Sequence, residues 1–164
     1  MGTDIFMEWD RQTEEASNKQ IKSSMEIDKG YLGYLRASIG MTLENSILRV
    51  LFPEEYWRNT GKGLRFEFIE EKYAELLRAG YFYLSAIFLG MEIKTTEETE
   101  REKETQNKIL ESFKNAGFSE DRVVSASGLD FRDAVVWINS VFEFYELGME
   151  LEKKGLNPKV YISW

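Results

Sequence analysis

The stretch from Leu129 to Lys154 is apolar on nearly every side. Phe131, Val135, Ile138, Phe142, Tyr145 and Met149 recur at three- and four-residue steps, and the wet line is only Asn139, Glu143, Glu146, Glu150 and Lys153. A helix with so narrow a polar stripe is covered by other elements around most of its circumference. At 1.5 Å per residue it runs roughly 39 Å. Ser127 and Asp130 make a capping box at its start, and Gly155 fits the left-handed position at its end. Whatever else the chain forms must pack against this rod.

The two ends supply strands. From Thr3 to Asp10 the chain alternates: Ile5, Met7 and Trp9 point one way, and Asp4, Phe6, Glu8 and Asp10 the other. After Pro158, the segment PKVYISW is β-branched and aromatic. An isolated strand leaves its ladder groups unpaired, so the two ends are expected to neighbour one another. Residues 11–29 are polar and read as a mobile loop. Gly30–Gly40 is ambiguous between helix and strand. Thr42 can cap a helix to about Phe52, which Pro53 ends. Ile69 to Met91 has helical spacing and becomes apolar all round. Residues 95–107 are almost wholly polar and open another helix at a Thr95–Glu98 capping box, with Gly117 past its end. The expected architecture is a single α+β domain over residues 1–164: helix-rich, with a small sheet of the N- and C-terminal strands covered by long helices.

Composition narrows the chemistry. The chain has no histidine and no cysteine. That removes histidine general bases, thiolate nucleophiles, disulfides and zinc–thiolate sites. Any catalysis would run on carboxylates, Lys, Tyr, Ser or Thr. The 29 acidic against 21 basic side chains give a net charge of −8, which disfavours nucleic-acid binding and suits a basic protein partner. Ala79 to Met91 is too short to span a bilayer, so no membrane partner is expected. No basic leader precedes an apolar run, and a cytoplasmic location is the expectation.

Three groups of residues are candidate sites. Glu8 and Asp10 lie about 6–7 Å apart along one strand face, close enough to share Mg²⁺ or Ca²⁺ with a third ligand from elsewhere. Asp4 is roughly 13 Å from Glu8 and cannot join them. The alternative for these acids is a solvated strand face. Arg58, Lys62 and Arg65 flank Gly61 and Gly63 in RNTGKGLR, a basic turn that could hold an anion, or simply a solvated turn. Tyr81, Tyr83, Phe88 and Trp137 belong to an aromatic surplus that a dimer interface or a rich core would absorb.

The opening MGTDI resembles that of a set of small uncharacterised phage and microbial proteins beginning MGTDIH. It covers five residues and implies no activity. This chain has Phe6 where that set has His, which argues against a shared histidine site. The expected function is non-enzymatic binding or assembly: a homodimer with an acidic surface towards a protein partner and no cofactor. The alternatives are a carboxylate-bound Mg²⁺ or Ca²⁺ hydrolase, and an acidic inhibitor or immunity-type protein of a basic target.

Overall fold

A computed structural model describes residues 2–23, 30–38, 51–52, 54–58, 61–94, 111, 115 and 131–163. The expected helices at 42–52 and 95–117, and the Ser127 cap, lie outside these residues, apart from Leu51, Phe52, Glu111 and Asn115.

The elements in chain order are β1 (Gly2–Glu8), α1 (Glu14–Ser23), a 3₁₀ turn (Gly30–Leu32), β2 (Tyr34–Ser38), α2 (Glu54–Arg58), β3 (Leu64–Arg65), α3 (Glu70–Lys94), α4 (Phe131–Lys153) and β4 (Lys159–Ser163). The strands form one antiparallel sheet in the order β2-β1-β4-β3. The α+β arrangement holds, and the two terminal strands take the central positions. Ile5 pairs with Ile162, and Met7 with Val160. These four side chains are fully buried, with Leu35 of β2 almost so, and share one core with Val141, Phe144 and Tyr145 of α4.

Period-two alternation delivers this core, because directly opposed residues share a face. The other face carries Asp4, Phe6, Glu8, Tyr34, Arg36, Lys159 and Tyr161. Here Phe6 is not one more wet position. It sits in an aromatic row, 5.1 Å from the Tyr34 ring and 5.2 Å from Tyr161.

Part of the expected loop at residues 11–29 is helical instead: α1 occupies Glu14–Ser23. Thr13 caps it, accepting from the Ala16 N–H at 3.1 Å, and Glu15 pairs with Lys19 at 2.9 Å. The helix is anchored by a hydrogen-bonding side chain, which is why an apolar-period reading passes over it. Buried Gln20 donates to the carbonyls of Met7 at 2.7 Å and Gly33 at 3.2 Å, tying α1 to the β1–β2 end of the sheet. Within the ambiguous segment, Gly30–Leu32 forms a 3₁₀ turn and Tyr34–Ser38 forms β2.

Helix α4 ends as its sequence indicates. Gly155 has φ +68°, its N–H donates to the Glu152 carbonyl, and the Leu156 N–H reaches back to Leu151. These two bonds are a Schellman closure. Helix α3 runs antiparallel to α4, with Tyr73 beside Tyr145 and Gly80 against Phe142 and Ile138.

The 3₁₀ turn is pressed onto α4 at Gly30. Its N–H donates to Ser140 Oγ at 2.8 Å, and a Cβ there would lie 1.7 Å from the Ser140 carbonyl oxygen. No side chain fits without parting two backbones. Gly30→Ala is therefore expected to cost about 2–3 kcal/mol and lower Tm by roughly 5–10 °C. Gly63→Ala, whose Cβ would meet Lys159 at an ordinary 3.7 Å, serves as control and should move Tm little. Equal melting curves for the two variants would refute the close approach.

Candidate functional site

The acidic edge is best judged by what its carboxylates touch. Asp4 accepts from the Tyr34 hydroxyl at 2.6 Å, with Arg36 Nε 3.9 Å away. Asp10 accepts from Asn157 Nδ2 at 2.8 Å, while its N–H donates to the Leu156 carbonyl. It fastens the turn after β1 to the segment leading into β4. Glu8 stands directly across from Lys159. Glu8 and Asp10 are thus engaged with different neighbours. Among the described residues, no group of three or more acidic side chains is placed to hold a metal ion. The proposed third ligand is missing from them.

The basic turn is divided in the same way. Arg65 forms a two-pronged pair with Glu152 of α4, at 2.6 and 2.7 Å, and also donates to the Pro158 carbonyl at 3.0 Å. Glu152 holds its guanidinium above its already high pKa, and Arg65 is a strut between β3 and the end of α4. Arg58 and Lys62 are exposed, and the N–H of Gly61, which lies between those two, is spent on the Ile162 carbonyl at 2.7 Å. Arg65 is thus committed to Glu152 and the Pro158 carbonyl.

The aromatic candidates separate sharply. Trp137 is 4% exposed, and its indole N–H donates to the Arg36 carbonyl at 3.0 Å. It belongs to the core, which corrects its expected place at an interface: β2 is an edge strand, and Trp137 occupies one of its backbone acceptors. Tyr81 is 61% exposed and touches Phe142 at a centroid distance of 5.8 Å. The side chains of Tyr83 and Phe88 lie outside those described. Val136, unremarked in the sequence, is 47% exposed on α4. Only its place between Arg132 and Asn139 on the polar side of the helix hints at this.

Between α3 and α4 lies a buried tyrosine with both hydrogen-bonding roles filled. The Tyr145 hydroxyl accepts from the Ile69 N–H at 3.1 Å and donates to the Ile69 carbonyl at 3.0 Å. Its ring stacks on Tyr73, whose hydroxyl donates to Glu146. Burial, and then the neighbouring carboxylates Asp4 and Glu146, push Tyr34 and Tyr73 far above the normal phenol range; burial also raises Tyr56, Tyr145 and Tyr161. A phenol shifted upward stays protonated. None of these five is activated as a nucleophile or base near neutrality.

Compared with protein-family models, curated proteins and solved structures, the chain gives no match. Among the described residues, no helix is long and apolar enough to cross a membrane.

Two measurements follow from this chemistry. Millimolar Mg²⁺ or Ca²⁺ should leave Tm unchanged; occupancy at a hundred times Kd would instead add about 2.7 kcal/mol. A metal-dependent rise that Glu8→Gln abolishes would revive the metal site. In alkali, the unfolded chain ionises its tyrosines near pH ~10, whereas the folded chain holds these five protons to higher pH. Stability is then full below pH ~10 and falls as pH climbs towards the folded values. A phenolate absorbance titration should show late, cooperative ionisation coincident with unfolding. Ionisation of every tyrosine near pH ~10 in still-folded protein would contradict the burial.

Proposed function

We propose that this is a non-enzymatic assembly protein, which self-associates through the outer sides of α3 and α4 and turns an acidic surface towards a protein partner. The supporting observation is the exposure of Tyr81, 61%, and Val136, 47%, one on each of the two adjoining helices. Large apolar side chains that remain outside a well-filled core are the anchors interfaces use. Around them the exposed carboxylates Glu70, Glu71, Glu75, Glu143, Glu146 and Glu150 carry the acidic character. The core needs neither anchor: Phe142, Trp137, Phe144 and Tyr145 already fill it.

The hydrolase reading loses its footing where Asp10 is bound to Asn157. Tyr34, Tyr56, Tyr73, Tyr145 and Tyr161 are all shifted away from catalytic use.

Light scattering at micromolar concentration is the direct test, with twice the 19.2 kDa chain mass expected. Tyr81→Asp should return the monomer mass with little change in Tm, since the side chain is mostly in water. A wild-type mass of one chain would remove the proposal, and the two apolar groups would then be ordinary surface residues.

A further inference from the structure

We infer that the surface which receives α3 is α3 of a second copy, lying antiparallel across it. This rests on the self-association proposed above and adds its partner element and register. On one side of α3 the exposed positions are Glu71, Ala74, Glu75, Arg78, Tyr81 and Ser85, while exposed Lys72 lies off this side, over the Phe66 ring. Their three- and four-residue steps put them on one stripe, separate from Leu76, Ala79 and Gly80, which are buried. Along the stripe the order is acid, small, acid, base, aromatic, small.

That order is complementary to itself when reversed. In one antiparallel register Tyr81 lies over the partner's Ala74, Arg78 stands beside the partner's Glu75, and Ser85 meets the partner's Glu71. Ala74 leaves room for a ring. Ser85 turns its hydroxyl inward onto the Tyr81 carbonyl at 2.8 Å, so it adds no competing polar group there. A twofold axis makes each contact twice, as a closed homodimer requires. A parallel arrangement in register would instead set Glu71, Glu75 and Arg78 each against its own copy, like charge on like charge. Among the described residues, neither Glu75 nor Arg78 pairs with an opposite charge, so both are at hand for a second chain.

Charge exchange tests the register. Arg78→Glu makes both crossing positions, 75 and 78, acidic and Glu75→Arg makes both basic, so each variant alone should dimerise about tenfold more weakly than wild type. Mixed one to one, the two should form a heterodimer with wild-type affinity, because acid then faces base at both crossings. Sedimentation velocity on the singles, the mixture and the double variant reads this out, with circular dichroism confirming unchanged helix content. If wild type dimerises and both singles match it, or if mixing restores nothing, the α3–α3 register is wrong while self-association stands. A monomeric wild type would overturn both.

Discussion

Ile5 and Met7 on β1 face Ile162 and Val160 on β4, and all four are shut away from water. This pairing joins the two ends of the described chain at the centre of the sheet. Everything else is placed relative to it: β2 and β3 are edges added to a central pair, and α4 covers the apolar face that the pair creates. Closing so long a loop carries an entropic cost before any contact is gained. The offset is large because each strand contributes two fully buried side chains, at roughly 1.5–3 kcal/mol apiece. A fold centred on its most distant contacts is expected to form slowly for its size.

Helix α4 does more than supply apolar bulk. Trp137 donates to the Arg36 carbonyl, Ser140 accepts from Gly30, Tyr145 serves both backbone groups of Ile69, and Glu152 grips Arg65. Each reaches a different element: an edge strand, a 3₁₀ turn, the entrance to α3, and β3. Buried backbone groups left unpaired would each cost about 1–3 kcal/mol. Hydrogen bonds of fixed geometry also give each neighbour one position on the helix, which non-directional apolar contact does not. The rod is a ruler against which the rest is registered.

The same economy bears on function. Asp10 and Arg65, both candidate site residues from the sequence, are engaged with Asn157 and Glu152 in holding segments together. Among the described residues, exposed apolar and charged surface remains on the outer helices, at Tyr81 and Val136, and also at Tyr31 and Ile69. That distribution is what the proposed assembly role rests on.

The sequence by itself determined the elements with strong periods. Alternation over Thr3–Asp10, the β-branched run after Pro158, and the helical steps of Ile69–Met91 and Leu129–Lys154 each correspond to an observed element. Period is a local property, and burial on one face enforces it. Tertiary structure alone decided the identities of the partners. Helix α1 has no apolar stripe to announce it, because a buried glutamine holds it to backbone carbonyls of Met7 and Gly33. Trp137 and Tyr81 look alike as aromatics on greasy helices, yet one caps an edge strand and the other faces water. Glu8 and Asp10 share a strand face, but Asn157 claims one and Lys159 faces the other. Which of two like residues is buried, or which carboxylate is occupied, depends on groups brought from elsewhere in the chain, and no local pattern carries that information.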